Sequence, residues 1–481
     1  MGSTLLRTES LRVNLYGKEI LRNISLEIKT GEQWAVIGEA GSGKTVFAQT
    51  LAGNHAFHGQ LFFPGTDGTD GNKTILVVDQ QHRFKDLRNQ SNFYYQQRYN
   101  AFDADATISV SEDLASYEEN RTGYLSKTKL VEIFRLKSLL DEPLIQLSNG
   151  ENKRLQILKA VLSMPYLLIL DEPFTGLDQD GRQLLDDILT TITDGGQHIL
   201  FLSSRSYIPS CCNRYAQLQN GQAVQFTDPR DLQRGYTTML KPAEKNIPSG
   251  ISFSYPGFRY AVRMRKVFVR YEGRNVLNGI DWEVEKGSCW ALTGPNGAGK
   301  TTLLSLITAD NPQAYANEIY LFDRRRGSGE TIWEIKQKIG FLSPELQLYF
   351  DPAATAFAAL ASGLFDTIGL FRQLSPLQES YVLDWLEFLG ASAYANRLLT
   401  SLPTGIRRLI LLGRALIKTP PLLILDEPCQ GLDPAQTAFT LETIDRYCAR
   451  FGATMIFVSH YSSDFPASVT QTLRLDNGSS V

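Results

Sequence analysis

The sequence predicts an α/β protein of two similar lobes, each built on a mostly parallel sheet with helices on both faces. Short apolar segments alternate with helical stretches, which is typical of parallel sheets buried on both faces. The chain also repeats itself, because residues 38–45 reappear as 294–301 and residues 170–173 reappear as 425–428. The repeat predicts two large domains rather than the three that a length of 481 residues suggests.

The predicted boundaries place the first domain at residues 1–226, a linker at 227–266 and the second domain at 267–481. Prolines at positions 229, 242, 248 and 256 block a long helix, so we expect an irregular connector. Each domain repeats three apolar segments in the same order. They are Trp34–Ile37, 167–170 and Ile199–Ser203 in the first domain and 290–293, 422–425 and 455–459 in the second.

The composition favours an ordinary globular protein, with 43% hydrophobic residues and a net charge of −3. This charge marks the chain as neither a nucleic-acid binder nor a membrane-surface binder. The five cysteines match no zinc or disulfide spacing and indicate a reducing cytosol. The first sixteen residues lack the apolar core of a secretory signal, and the uncharged stretch 352–365 is too short to span a bilayer. We expect a cytoplasmic protein that would borrow any pore from other subunits.

In each domain one glycine-rich loop follows the first apolar segment. Both loops match the pattern that binds nucleotide phosphates. Glycines leave room for backbone N–H groups to approach the phosphates, and the following helix directs its N-terminus at them. A plain glycine turn is the alternative, which the second copy disfavours. The expected ATP-binding residues are Gly38, Gly41, Ser42, Gly43, Lys44, Thr45 and Val46 in the first loop and Gly294, Pro295, Asn296, Gly297, Ala298, Gly299, Lys300, Thr301 and Thr302 in the second.

An acidic pair ends the second apolar segment of each domain. Asp171 and Asp426 suit the aspartate that holds Mg²⁺ through water, together with Thr45 and Thr301 as direct metal ligands. Glu172 and Glu427 are placed to orient or deprotonate the attacking water, and are the expected catalytic residues. The alternative is a turn with surface carboxylates. Its weakness is that the spacing from the phosphate loop agrees in both halves to within one residue.

The segments between these motifs resemble the ABC-type ATPases. Residues 147–151 resemble the LSGGQ signature of that family, and Gly150 lies 21 residues before Asp171, as Gly405 does before Asp426. Asp178 and Asp433 resemble the D-loop aspartates. The resemblance covers nearly the whole chain and implies two tandem P-loop NTPase domains of ABC ATPase type, each with a helical subdomain. It also implies ATP and Mg²⁺ as cofactors and ATP hydrolysis as the activity.

Further site residues follow from this resemblance, each with a plainer alternative. His460 is similar to the catalytic switch histidine, or is a packed histidine. Tyr16 and Tyr271 resemble the aromatic residue that stacks on adenine, or are ordinary strand aromatics. Ser148 and Glu151 also form a capping-box pattern, which is compatible with nucleotide binding. The nucleotide contacts implied for the signatures are Ser148, Asn149, Gly150, Glu151 and Gly405.

ABC ATPases clasp ATP between the phosphate loop of one lobe and the signature of the other, so the resemblance implies an intramolecular pair with two unequal sites. The first combines Lys44 with Pro403, which stands where the signature serine is expected and supplies neither hydroxyl nor backbone N–H. Ser204 stands at its switch-histidine position. The second combines Lys300 with Ser148 and has His460. We expect the first site to bind ATP better than it cleaves it, and the second to carry most turnover.

The glutamine that normally links the nucleotide site to a membrane partner is present in one lobe only. Gln80 fits this Q-loop position in the first lobe, where we expect it to contact nucleotide. The second lobe has Ser343, Pro344 and Glu345 there, with Glu345 as a candidate substitute. Conventional coupling of this lobe to a membrane partner is therefore in doubt.

Residues 310–315 and 321–333 resemble a branch of twin ABC ATPases linked to molybdate-type transport and photorepair. This favours an ATPase component of an importer, at the inner face of the membrane and with a pair of permease subunits as partner. A soluble regulatory or repair-associated ATPase is the alternative, and a ribosome-associated ABC-F factor ranks last because the linker is short and rich in proline. The arginines at 324–326 are interpreted as a solvated face rather than a docking site for an acidic partner or nucleic acid. The aromatic stretch Phe93–Tyr99 is interpreted as a partner-docking or packed surface rather than a nucleic-acid contact.

Overall fold

The computed structural model describes most of the chain. The described residues are 2–15, 17–38, 41–63, 75–79, 108–117, 125–144, 147, 149–203, 208–226, 228, 246–249, 251, 253–271, 274–432, 434–459 and 464–481. They divide into two compact units, one formed by residues up to 228 and one by residues from 246 onward. Along the described chain, no helix combines the length and apolarity needed to cross a membrane.

The first unit contains an antiparallel sheet and a larger, mostly parallel sheet. The strands are β1 (Thr4–Leu15), β2 (Lys18–Lys29), β3 (Trp34–Ile37), β4 (His58–Phe62), β5 (Ile75–Val78), β6 (Leu167–Asp171), β7 (Ile199–Ser203), β8 (Arg214–Gln219) and β9 (Gln222–Phe226). The described helices are α1 (Lys44–Leu51), α2 (Val110–Leu114), α3 (Lys127–Ile133), α4 (Asn149–Leu162) and α5 (Gln179–Asp194), with a 3₁₀ turn at Lys137–Leu139. The large sheet has the order β5-β6-β7-β3-β8-β9, in which only the pairing of β8 with β9 is antiparallel among the described strands.

The second unit repeats this architecture. Its strands are β10 (Tyr260–Tyr271), β11 (Arg274–Glu285), β12 (Cys289–Thr293), β13 (Glu318–Leu321), β14 (Arg324–Arg325), β15 (Ile339–Leu342), β16 (Leu422–Asp426), β17 (Thr454–Val458), β18 (Gln471–Asp476) and β19 (Ser479–Ser480). Its described helices are α6 (Lys300–Ile307), α7 (Ile332–Lys336), α8 (Pro344–Tyr349), α9 (Ala356–Ala361), α10 (Pro376–Phe388), α11 (Thr404–Leu416) and α12 (Pro434–Phe451). The order β15-β16-β17-β12-β18-β19 matches that of the first unit.

Each large sheet is buried on both faces, as the continuous apolar segments predict. Along β16, Leu422 and Ile424 pack into one core with the antiparallel sheet and α6, whereas Leu423 and Leu425 pack into another with the helical layer. The two faces of β6 divide in the same way. The predicted helical subdomain is present in the second unit, where α9 packs against both α10 and α11. The α/β fold class is confirmed.

Two features differ from the sequence-based expectation. The antiparallel sheet of each unit was not anticipated, because its strands carry no motif and its alternating burial is interrupted by register shifts. In addition, β10 begins at Tyr260, inside the segment expected to be irregular, since the proline signals end at residue 256 and Ala261, Val262 and Met264 are fully buried. The boundaries at 226 and 267 stay predictions.

Candidate functional site

The strand order brings the glycine-rich loop and the acidic pair of each unit to one edge of the sheet. In the first unit β7 lies between β3, which leads into the loop, and β6, which ends at Asp171. In the second unit β17 lies between β12 and β16 in the same way, and Asp426 is opposite Val458 at its end. Because parallel strands have their carboxyl ends at one edge, motifs separated by more than a hundred residues become neighbours.

In the first phosphate loop, the lysine is bonded back to the glycine at the start of the loop. The Lys44 side chain is buried and its Nζ donates to the carbonyl oxygen of Gly38 at 2.6 Å. A Cβ atom on Gly38 would lie 2.5 Å from the carbonyl oxygen of Leu218, so only glycine fits there. The second loop is arranged alike, with Lys300 Nζ 2.7 Å from Gly294 O and 2.9 Å from Pro295 O. Both lysines are thus positioned by the loops that we expect to bind phosphate.

The glycine before each lysine starts the helix in a left-handed conformation. Gly43 has φ 105° and Gly299 has φ 98°, backbone angles that residues other than glycine rarely adopt. A Cβ atom would also approach Leu21 to 2.7 Å at Gly43 and Leu277 to 2.8 Å at Gly299. Helices α1 and α6 therefore begin at the lysines, with their N-terminal N–H groups at the carboxyl edge of the sheet, where a phosphate would be stabilised.

A direct hydrogen bond joins the loop to the acidic strand in the first unit. Thr45 Oγ1 donates to Asp171 Oδ2 at 2.7 Å, and the aspartate is only 5% exposed. Burial raises the pKa of Asp171 to about 6, the Thr45 hydrogen bond opposes this, and the neighbouring Glu172 adds to it. A buried carboxylate of this kind gains stability from a bound cation. The pair fits the predicted Mg²⁺ ligands.

Two buried polar side chains fit a phosphate-binding and a metal-binding role. Ser42 Oγ is buried and has no hydrogen-bond partner among the residues described. Asp426 is 8% exposed at the end of β16 and is the counterpart of Asp171. Backbone N–H groups, a buried lysine and a buried carboxylate together match what a Mg²⁺–nucleotide requires.

The predicted catalytic glutamates share an unusual backbone. Both Glu172 and Glu427 have φ 51°, in the left-handed region. The N–H of Glu172 donates to Leu202 O at 2.9 Å and that of Glu427 to Val458 O at 3.0 Å, so each is fixed to the central strand. Such a conformation costs about 1–3 kcal/mol for a residue other than glycine and marks functional sites more often than others.

Pro403 precedes the signature helix of the second unit, whereas Ser148 of the first unit lies outside the described residues. Helix α11 has Pro403 at its N-cap with φ −52° and ψ 143° and no side-chain hydrogen bond, as its missing hydroxyl predicts. Gly405 is buried, and a Cβ atom there would lie 2.1 Å from Gln436 Oε1. In the first unit Asn152 Nδ2 donates to Leu147 O at 3.1 Å, and a Cβ atom on Gly150 would lie 3.3 Å from Leu177. A side chain at Gly405 would displace the Gln436 side chain, whereas one at Gly150 would need Leu177 to move by only a few tenths of an ångström.

Several predicted site residues lie outside the described residues, and nothing in the structure bears on them. They are Tyr16, Gln80, Ser148, Ser204, Asp433 and His460. Tyr271 is described and is half-buried, with its hydroxyl accepting a hydrogen bond from Asn311 Nδ2 at 2.9 Å. Ser343 caps α8 by accepting from Leu346 N at 3.2 Å, so the residue after β15 has a helix-capping role.

Two buried cations close to the acidic pairs were missed by the sequence analysis. Lys153 in α4 and Arg408 in α11 are each 18 residues before the aspartate of their unit. Lys153 is 7% exposed and Arg408 is 3% exposed. A cation at the same place in both repeats was the available signal, but charged residues in an amphipathic helix are normally solvent-exposed.

Comparison with known proteins agrees with this architecture. A family model described as ABC transporter matches residues 21–175 and 277–430. The chain is 33% identical over 473 residues to the ABC transporter ATP-binding protein ModF of Escherichia coli, covering 93% of this chain and 92% of that protein. It is 30% identical over 475 residues to an uncharacterized ABC transporter ATP-binding protein of Schizosaccharomyces pombe, covering 95% of each.

A solved structure, the RNase-L Inhibitor, matches with a TM-score of 0.57 at 18% identity, covering 98% of this chain and 90% of that one. At this identity the likeness concerns the fold alone. ABC domains bind ATP, typically with Mg²⁺, and the family as a whole hydrolyses it. With two matched domains and a ModF-like sequence over nearly its full length, the chain belongs to the ABC transporter family of ATP-binding proteins.

Proposed function

We propose that the protein is a twin ABC ATPase that binds Mg²⁺–ATP at both phosphate loops and hydrolyses it mainly at the second. The observation that carries this proposal is the same buried lysine, strand-end aspartate and left-handed glutamate in both units. The Thr45–Asp171 hydrogen bond of 2.7 Å and the Lys300 hydrogen bonds to Gly294 O and Pro295 O support it, because they hold these side chains in place before nucleotide binds. Preorganisation of this kind stabilises charge that develops in a transition state.

Each residue type has a distinct proposed task. ATP supplies the phosphoanhydride bond, and Lys44 and Lys300 neutralise charge on the terminal phosphates. Asp171 and Asp426 hold the metal through water, with Thr45 and Thr301 as its direct ligands. Glu172 and Glu427 orient the attacking water and accept its proton, since a carboxylate at the strand end can act as general base. His460 and Tyr271 stay proposed contacts of the second nucleotide.

We propose that the two nucleotide sites are unequal. Helix α11 starts at Pro403 without a capping side chain, which supports a weakened site for the nucleotide on Lys44. The nucleotide on Lys300 would be served by Ser148 and is the proposed turnover site. Cleavage there would use Glu427.

Glutamine substitution of the two glutamates tests this assignment. Glu427→Gln keeps the side-chain shape but removes the general base, so we expect ATP hydrolysis to fall by about 100-fold. Glu172→Gln is the matched control in the other unit and should retain much of the activity. Steady-state phosphate release measures both. Equal losses in the two variants would refute the unequal assignment, and no hydrolysis by the unmodified protein would refute the ATPase itself.

For the cellular role we propose the ATPase component of, or an accessory to, a molybdate-type transport system. The supporting observation is the similarity to ModF over 93% of the chain. The protein would then act in the cytoplasm, at the inner face of the membrane, with a permease pair as partner. The capping role of Ser343 favours the alternative, a regulatory or repair-associated ATPase without a permease.

Capture of partners by the ATP-trapped Glu427→Gln variant separates these roles. Permease subunits in the bound fraction would support the transport role. Cytosolic enzymes or nucleic acid would instead support the regulatory or repair-associated role. Recovery of ribosomes would support an ABC-F-like role and contradict both.

A further inference from the structure

Arg408, a buried arginine at the start of α11, connects three segments of the second unit. Its Nε donates to Pro428 O at 3.2 Å and its Nη2 donates to Glu427 O. Its Nη1 donates to Gln347 Oε1 at 3.1 Å. One guanidinium thus joins the signature helix, the acidic turn and α8.

These contacts are strong because both partners are removed from water. Arg408 is 3% exposed and Gln347 is 8% exposed. A buried cation loses its interactions with water, and hydrogen bonds to protein groups must replace them. The guanidinium fork makes these bonds in fixed directions, which a flexible lysine cannot reproduce. Loss of the amide oxygen of Gln347 would therefore remove one buried, charge-assisted hydrogen bond.

The contacts fix the backbone on both sides of the proposed general base. The N–H of Glu427 is bonded to Val458 O at 3.0 Å, and its carbonyl accepts from Arg408. With φ 51° its backbone is strained and persists only when its surroundings hold it. Both peptide groups that flank the Cα atom of Glu427 are held, so the direction of its Cα–Cβ bond is set.

The first unit has a simpler version of this link. Lys153 Nζ donates to the carbonyl oxygen of Asp79 at 3.0 Å, immediately before the predicted Q-loop glutamine, Gln80. The cation of α4 therefore contacts the segment after β5 through its backbone. In the second unit the corresponding segment is α8, and the contact runs through the side chain of Gln347.

We propose that Gln347 and Arg408 form a positioning pair that sets Glu427 for hydrolysis. No glutamine directly follows β15 in the second unit. There, the pair links the segment after β15 to the acidic turn. A displacement of α8 would shift Gln347, then the guanidinium, then the turn that carries the general base. The inference rests on the proposed function, because it assigns a task within the turnover site of the second unit.

Three single variants of the full chain test the pair, and a fourth serves as the control. Gln347→Leu removes the acceptor at similar volume, and Arg408→Lys keeps the charge but loses the fork. We expect each to lower kcat about tenfold with the KM for ATP within about twofold, since positioning changes the transition state more than ground-state binding. Gln347→Glu keeps an acceptor for Arg408 and should retain kcat within about twofold of the unmodified protein.

Arg414→Lys is the matched control, because Arg414 is also a buried arginine of α11. It bonds to Ser362 Oγ at 3.1 Å and to Thr367 O at 3.0 Å, away from the acidic turn. We expect it to lower the melting temperature without changing kcat per folded molecule. The double variant Gln347→Leu/Arg408→Lys should have a kcat no lower than that of the less active single variant, since both changes break the same link.

The outcomes separate this inference from the proposed function. Unmodified protein that hydrolyses no ATP overturns the proposed function. Active unmodified protein in which Gln347→Leu and Arg408→Lys behave like Arg414→Lys overturns the positioning pair alone. A loss of kcat in Gln347→Glu as large as in Gln347→Leu also overturns it, because the acceptor is then not what matters. Binding of a fluorescent ATP analogue and the melting temperature confirm that each variant is folded.

Discussion

The buried carboxyl of Asp171 lies in an environment that fits its proposed role as a metal ligand. It is enclosed at the end of β6, accepts from Thr45 and lies beside the charge of Glu172. Burial disfavours the ionised carboxylate more than Thr45, Lys44 and Lys153 favour it, so the pKa of Asp171 is raised to about 6 from an ordinary 3.8. Before metal binds, the folded protein is therefore destabilised by the ionised form of this side chain.

Asp171→Asn should stabilise the nucleotide-free, Mg²⁺-free protein at neutral pH. The pKa of Asp171 is higher in the folded than in the unfolded state, so folding is penalised above about pH 6 and the penalty disappears below about pH 3.8. We expect the free energy of unfolding to rise by roughly 2 kcal/mol at pH 7.5 and the difference to vanish near pH 4. Urea unfolding of both proteins at the two pH values measures this effect.

Saturating Mg²⁺–nucleotide should reverse the order, because the metal stabilises only the carboxylate. A variant that is less stable than the unmodified protein at pH 7.5 without nucleotide would contradict the raised pKa of Asp171.

At the scale of elements, the start of α11 distinguishes the two units. Other helices of the second unit have capping side chains: Thr331 caps α7 and Ser375 caps α10, each within a capping box. Pro403 supplies no such hydrogen bond. Since the N-terminus of a signature helix points at the nucleotide in the proposed pairing, the missing hydroxyl affects both helix stability and phosphate binding.

Pro403→Ser should therefore restore two interactions. We expect the new N-cap to stabilise the protein by about 1 kcal/mol. In the Glu427→Gln background, a hydroxyl directed at the nucleotide on Lys44 should raise the residual ATP hydrolysis about tenfold. Pro403→Ala is the control, because it removes the ring without adding a hydroxyl. If alanine raises hydrolysis as much as serine does, the signature hydroxyl is not the limiting group.

At the scale of the whole molecule, the repeat implies two nucleotides per chain with different fates. We expect equilibrium dialysis with a non-hydrolysable ATP analogue to show two bound molecules. After a single turnover with Mg²⁺–ATP, one nucleotide should be recovered as ADP while the other persists as ATP, because we propose that Pro403 weakens one site. Rapid quench of the bound nucleotide measures the ratio. Two equally fast conversions would contradict functional asymmetry between the units.

Much of the architecture was accessible from local patterns. The apolar segments 167–170 and 422–425 became β6 and β16, and the glycine-rich loops lie before helices that start at Lys44 and Lys300. These patterns were sufficient because a strand buried on both faces and a phosphate loop each impose residue types over a few adjacent positions. The structure and the family match confirmed the fold class and the ABC family, whereas the individual roles of the site residues stay predictions.

The sequence by itself determined that there are two homologous units, where their phosphate loops and acidic pairs stand, and that Pro403 interrupts one signature, because each of these is written in contiguous residues. Only the tertiary structure decided which side chains meet. The Thr45–Asp171 hydrogen bond spans 126 positions, and Arg408 reaches Gln347 across 61. Contacts of this range depend on strand order and on the packing of α11 beneath the acidic turn, so no local pattern of residues contains them.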